Sequence, residues 1–252
     1  MSETAGKFYI YSLAKPKNMD KEIISNQSNN FVRMNKYIAY LFGVFLTDGY
    51  ICKENKFQLQ VIDRDFAERV LFSIKEIVPS CKANVYERMN QTPWNKKKQY
   101  CINAGFSSYA SFFKEQTLEK RKIPHAIYDS PKIIQQWFIA GVMDGDGFIT
   151  MYKKRKNESS QWKIGLGKSE DGWILAFVEF MLRYMGVKHY PVQRTLTKKG
   201  TPFITVRFNH EDFIKSGCFF SIERKQSQLK ELQTLLLKAQ RLDTTHPDGA
   251  KV

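Results

Sequence analysis

Hydrophobic and polar positions along this chain change period in a regular order. Residues 35–47 and 131–145 read as helices rich in apolar side chains. Each is followed by alternation of period two, which predicts half-buried strands. Phe57, Leu59 and Val61 share one face of such a strand, and Gln58 and Gln60 the other. Trp162, Ile164 and Leu166 likewise oppose Lys163, Gly165 and Gly167. Helical spacing then returns. Phe66, Val70, Ile74 and Ile77 carry it over residues 65–78, and Trp173, Phe177, Phe180, Met181 and Tyr184 over 169–185. The breakers Pro79 and Gly186 stop these helices. Further strand pairs are predicted at 83–88 with 99–104, and at 189–197 with 203–208. Closing helices are predicted at 107–119, and at 211–214 followed by 226–242.

The longer period is an internal repeat. Tyr40-Leu-Phe-Gly-Val-Phe-Leu-Thr-Asp-Gly-Tyr50 matches Phe138-Ile-Ala-Gly-Val-Met-Asp-Gly-Asp-Gly-Phe148, which makes Asp48 and Asp146 equivalent, 98 residues apart. Both halves run helix, strand, strand, helix, strand, strand, helix. We divide the chain into an N-terminal extension at 1–30, a first half at 31–125, a second half at 126–242 and a frayed tail at 243–252.

The repeated helices carry glycine in mid-course, Gly43 and Gly141, where it costs helix stability. A missing Cβ lets two backbones approach, and Ala140 extends the smooth surface. The two helices are therefore expected to pack on each other about a pseudo-twofold axis. Ser130 is a candidate N-cap with Pro131 in the first turn, and Gly49 and Gly147 are the expected terminators. The last carbonyls of a helix lack internal partners and mark the negative end of its dipole. A carboxylate there makes an anionic, oxygen-rich spot suited to Mg²⁺. Pairing the helices would bring Asp48 and Asp146 together over two phosphodiesters, where a cation can activate water. A calcium-loop reading of Asp144-Gly-Asp146 fails, because Phe148 occupies the third ligand position and Arg155 the place of the closing Glu.

Charge sharpens the choice of partner. Forty Lys and Arg against 25 Asp and Glu leave a net +15, which points to an anionic partner. No run of 18 apolar residues spans a bilayer and no signal-peptide core opens the chain, so nucleic acid is favoured over membrane. Cys52, Cys81, Cys101 and Cys218 form no CxxC pair and sit near no His at zinc-finger spacing, so free thiols in an intracellular protein are expected.

Ile139-Ala-Gly-Val-Met-Asp-Gly-Asp-Gly147 resembles the LAGLIDADG motif at both glycines and both aspartates, and Leu41-Phe-Gly-Val-Phe-Leu-Thr-Asp-Gly49 resembles a looser copy. The looser copy departs at Phe42 and at Leu46, which stands where the first Asp belongs. The resemblance is to single-chain LAGLIDADG homing endonucleases and covers residues 34–242. It implies an α+β fold of two pseudo-symmetric αββαββα halves, each with a four-stranded antiparallel sheet, joined as a DNA-binding saddle. It implies Asp48 and Asp146 as catalytic metal ligands, with the backbone carbonyls of Thr47 and Gly145 beside them. Two or more Mg²⁺ ions are implied, with Mn²⁺ or Ca²⁺ able to replace them for binding. The segments Lys120-Arg-Lys-Ile-Pro124 and Ser221-Ile-Glu-Arg-Lys225 resemble the family's basic segments and point to Lys122 and Lys225 near the cleaved phosphates. Strand residues Gln58, Gln60, Arg88, Gln99, Asn103, Lys163, Lys168 and Arg207 become DNA contacts, joined by the hairpin-turn residues Lys96, Lys97, Lys98, Lys153, Lys154 and Arg155. The implied function is that of a monomeric intron-homing enzyme cutting both strands of a long asymmetric site with 3′ overhangs. Two alternatives stand beside it: an RNA-binding intron maturase whose partner is host intron RNA, and a nicking or non-cutting DNA-binding relative. The implied location is cytoplasm, nucleoid or organelle matrix, without secretion.

Overall fold

The structure, a computed structural model, describes residues 10–12, 31–89, 98–152, 161–169 and 173–244. Strand β1 (Ile10–Ser12) pairs antiparallel with β2 (Phe31–Arg33), which ties part of the extension to the opening residues of the first half. The first half then runs α1 (Lys36–Leu46), β3 (Tyr50–Ile51), β4 (Lys56–Val61), α2 (Arg64–Ile77), β5 (Val85–Met89), β6 (Lys98–Gly105) and α3 (Ser107–Thr117). A short α4 (His125–Tyr128), not anticipated from the pattern, leads into α5 (Lys132–Gly145). The second half continues with β7 (Gly147–Tyr152), β8 (Gln161–Ser169), α6 (Ile174–Met185), β9 (Gln193–Leu196), β10 (Pro202–Phe208), α7 (His210–Lys215) and α8 (Glu223–Thr244).

The strands form two four-stranded antiparallel sheets, ordered β3-β4-β6-β5 and β7-β8-β10-β9. Identical order in the two sheets confirms the repeat as a structural duplication. Register refines the equivalences. Tyr50 pairs with Gln58 and Phe148 with Gly165, so Gln58 answers to Gly165 and Phe57 to Ile164. The inner face of each sheet meets the helices through Phe57 and Leu59, or Ile164 and Leu166, all buried.

Helices α1 and α5 are the common spine. Every residue from Ile38 to Leu46 is buried, as is every residue from Phe138 to Asp144. A Cβ built on Gly43 would overlap the Phe138 carbonyl oxygen and lie 2.6 Å from the Val142 nitrogen. One on Gly141 would overlap the Tyr40 carbonyl oxygen and lie 3.1 Å from the Val44 nitrogen. Both glycines are thus imposed by backbone-to-backbone contact, and buried Ala140 continues the interface. On the flanks, Phe42, Phe45, Phe106 and Phe113 pack as one aromatic group in the first half, and Phe138, Phe177, Phe180 and Phe208 as another in the second.

Helix ends depart from the sequence reading in definite ways. Asn35 caps α1, its Oδ1 accepting from the Tyr37 and Ile38 amides at 2.9 and 3.0 Å. Ser130 does not cap α5: its hydroxyl turns back to donate to the Ala126 carbonyl at 2.6 Å, and Pro131 stands at the cap position. Gly49 and Gly147 are not left-handed terminators. They are glycines because a Cβ would strike Phe57 in one case and the Met143 backbone in the other. Ser169, expected to open a helix, instead pairs with Phe203 as the last residue of β8. Helix α8 runs to Thr244, past the expected start of the tail.

Candidate nucleic-acid interface and metal centre

Because α1 and α5 pack side by side, their C-terminal tips adjoin. A Cβ on Gly145 would fall 2.7 Å from the Thr47 Cβ and 3.1 Å from Asp48 Oδ2. The two motif ends therefore touch, and Gly145 leaves room for the opposing carboxylate. Asp48 is open to solvent along one edge. Even so, the protein mass crowded around its carboxyl, and secondarily the charge of Asp146, raise its pKa above the usual range. A cleft of about 400 Å³ opens at the tips. Asp48, Gln60 and Gln99 line it from the first half, and Gly145, Phe148 and Lys225 from the second. The Arg224–Asp63 ion pair, at 2.8 Å, ties the halves together beside it.

Lysines gather on the helix-tip carbonyls, as the dipole predicts. Lys225 is buried and donates to the carbonyls of Met143, Asp144 and Gly147 at 2.8, 2.7 and 2.7 Å. Burial lowers its pKa to about 8, against the pull of Asp144. Three acceptors satisfy all three of its N–H bonds, so the ammonium persists at neutral pH. In the first half the matching lysine is Lys120, which donates to the carbonyls of Thr47 and Gly49 at 2.9 and 3.0 Å. Lys122, chosen from the sequence, has an exposed side chain; it is Lys120 that reaches the tip. The cause is local backbone: Leu118, Glu119 and Lys120 all have positive φ, and this turn folds Lys120 inward.

Lys168 also differs from expectation. It shares the inner face of β8 with Ile164 and Leu166, not the outer face with Lys163. Its ammonium bonds Asp146 Oδ2 at 2.8 Å and the Leu46 carbonyl at 3.3 Å. The register-equivalent residue in the first half is Val61, and among the described residues no side chain pairs with Asp48 in this way.

Asp144, the first acidic residue of the second motif, is buried in the wall of the cleft. It accepts from the Tyr40 hydroxyl at 3.0 Å across the α1–α5 interface, and from the Ser221 amide and hydroxyl. Burial raises its pKa to about 6 in spite of these donors. Burial and the Asp144 charge push the Tyr40 hydroxyl well above its usual range. Asp144 thus anchors the segment that delivers Lys225. Leu46 holds the corresponding place in the first half.

On the outer sheet faces, Gln58, Gln60, Gln99, Asn103 and Arg88 stand together as the alternation requires, with Lys163 and Arg207 on the other sheet. Tyr50, Tyr86 and Cys101 share the first of these faces and were not singled out from the sequence; with Asp48 they border a second cleft of about 340 Å³. Lys98 is not a turn residue but opens β6 and pairs with Glu87 at 2.7 Å. Lys96, Lys97, Lys153, Lys154 and Arg155 lie outside the described residues.

Among the described residues no three His, Cys, Asp or Glu side chains cluster. The donors at the tips are two carboxylates and helix-end carbonyls, oxygens that already draw ammonium groups. That set fits a hard divalent cation. All four cysteines are free, and no described helix is long and apolar enough to cross a membrane.

No protein-family model matches the sequence, and no curated protein matches it. Solved structures do. The homing endonuclease I-WcaI bound to its DNA recognition sequence matches with a TM-score of 0.52 at 15% identity, over 78% of this chain and 87% of that one. Full-length DUF199/WhiA from Thermatoga maritima matches with a TM-score of 0.50 at 12% identity, over 83% of this chain and 68% of that one. The likeness is one of fold: the chain adopts the two-halved LAGLIDADG architecture that its motifs imply.

Proposed function

We propose that the chain is a site-specific endonuclease that hydrolyses phosphodiesters on both strands of a long, asymmetric DNA duplex with a divalent cation, leaving 3′ overhangs. The observation that carries the reading is the contact of the two helix tips, which sets the Asp48 carboxylate against Gly145 and within electrostatic reach of the adjacent Asp146, beside a cleft open to solvent. The net +15 supplies attraction for the duplex, and the fold likeness to a protein bound to its DNA recognition sequence supports the same partner. On this reading residues 31–125 and 126–242 each serve one half of the target, within a monomer.

Asp48 and Asp146 would hold Mg²⁺, with the Thr47 and Gly145 carbonyls alongside. The cation would supply positive charge against the phosphodiester and make water a better nucleophile. The rest falls to the protein. Lys225 and Lys120 fix the tip carbonyls, so the two carboxylates keep their spacing when a polyanion arrives. Asp144 positions Lys225 by holding Ser221.

One feature favours nicking as a second reading. Lys168 pairs directly with Asp146 at 2.8 Å, while among the described residues no ion pair is made to Asp48, so the two centres are chemically unequal. Incubating a randomised DNA library with the protein in Mg²⁺ or EDTA tests both readings. Cutting in Mg²⁺ alone, abolished by Asp146→Asn with duplex binding retained, is the expected result. One-strand products would favour the second reading. Binding restricted to structured intron RNA, or undiminished cutting by Asp146→Asn, would refute the proposal.

A further inference from the structure

The outer faces of the two sheets differ in a way the shared topology does not require. In the first sheet the row nearest Asp48 is Tyr50, Gln58 and Asn103. The equivalent row of the second sheet is Phe148, Gly165 and Arg207. One step along β4, Gln60 is flanked by Cys101; one step along β8, Gly167 is flanked by Thr205. Carboxamides in one sheet are thus replaced by glycines in the other.

The glycines have a visible consequence. A Cβ on Gly165 would lie 2.6 Å from the Phe148 ring, and one on Gly167 would lie 3.2 Å from the Phe203 ring. Both rings rest on bare backbone. Phe148 is half-buried by this seat, whereas Tyr50, whose neighbour Gln58 denies it such a seat, stands 55% exposed. The Arg207 guanidinium is turned onto the Tyr190 ring, 5.5 Å from its centre. In the first sheet, Gln60 bonds Gln99, but among the described residues no side-chain hydrogen bond holds the Gln58 or Asn103 carboxamide. One face therefore projects free donor–acceptor pairs. The other, at the same positions, presents the Phe148 and Phe203 rings seated on glycine backbone, with Arg207 and Lys163 beside them.

These surfaces suit different bases. A carboxamide matches adenine, offering a donor to N7 and an acceptor to N6 in the major groove. An apolar ring has no such pairing, but it can cover the C5 methyl of thymine. Resting on the proposal that the chain acts on duplex DNA, we infer that the two sheets read the two halves of the target by different chemistry. Gln58 and Asn103 specify adenine in one half-site, and Phe148 and Phe203 select thymine methyl groups in the other. The two half-sites are then unequal in stringency, the carboxamide half being the stricter.

A binding selection from random duplex DNA in Ca²⁺ tests this without requiring cleavage. The enriched site should show adenines in one half and thymines in the other. Gln58→Ala or Asn103→Ala should relax discrimination at one adenine position by about 5- to 150-fold, the range for a good bidentate contact, and leave the other half unaltered. Replacing thymine by deoxyuracil removes only the methyl group. In the second half this should weaken binding by about fourfold per methyl, and Phe148→Ala or Phe203→Ala should each abolish the difference at the one thymine its ring covers. Equal deoxyuracil effects in both halves, or none in either, would overturn the inference while leaving the endonuclease reading intact. Recovery of no duplex at all would overturn both.

Discussion

Replacing Gly141 by alanine would set a methyl carbon 3.0 Å from the Tyr40 carbonyl carbon and 3.1 Å from the Val44 nitrogen, and deeper into the Tyr40 carbonyl oxygen. These neighbours are backbone atoms of a buried helix, so no side chain can rotate aside. Carbon contacts are comfortable near 3.5–4.0 Å, so α1 and α5 must part by on the order of 1 Å. A gap of that size forfeits about a quarter to a half of the dispersion energy at each contact along the seam. Overpacking of this kind costs about 1–3 kcal/mol. It is opposed by roughly 1 kcal/mol of better helix propensity. The net expectation is a loss of up to about 2 kcal/mol, or a melting temperature lower by up to roughly 8 °C for a chain of this size. Thermal and denaturant unfolding measure it directly. The sign is diagnostic, because in an unpacked helix the same change stabilises. Gly43→Ala should behave alike. The double variant should lose less than the sum, since one separation relieves both overlaps. Gly105→Ala, where a Cβ meets nothing within 4 Å, is the control. A Gly141→Ala protein more stable than the wild type, or strict additivity with Gly43→Ala, would refute the close-packed pair.

Three further outcomes follow from the tips. Asp144 has its folded pKa raised to about 6 from 3.8, so its contribution to stability is full at low pH and is lost as pH rises through 6. Relative to Asp144→Asn, the wild type should lose up to about 3 kcal/mol between pH 4 and 7, read from denaturation midpoints; a flat difference would contradict the burial. Lys225→Met strands three buried carbonyls and should cost about 1–3 kcal/mol, more than Lys120→Met at its half-exposed site. Lys122→Ala should stay within about 0.5 kcal/mol of the wild type and leave cutting unchanged; a cleavage defect there would restore Lys122 to the site.

The repeat, the order of elements and the glycine-bearing helices were legible because each rests on a period or on a residue whose steric character is decisive. Strand alternation placed Gln58, Gln60 and Asn103 on one face. The same alternation assigned Lys168 to the inner face; grouping it with other lysines by charge hid its ion pair with Asp146. Lys120 was not legible, because it ends a run of three successive positive-φ residues just after α3, outside any regular period, and that run decides which lysine points inward. The role of Asp144 was hidden by distance: Tyr40 and Ser221 lie 104 and 77 residues away, and nothing local marks them as its donors.

The Tyr40–Asp144 hydrogen bond exists only because unlike halves face each other. Two copies of the first half would set the Tyr40 hydroxyl against Leu46, leaving a buried donor stranded. Two copies of the second would set Asp144 against Phe138, leaving a carboxyl short of one donor. Each like-with-like pairing is therefore penalised and the mixed pairing satisfied. Severed between α4 and α5 and expressed as two polypeptides, the halves carry the information to sort themselves into the heterodimer without the covalent link.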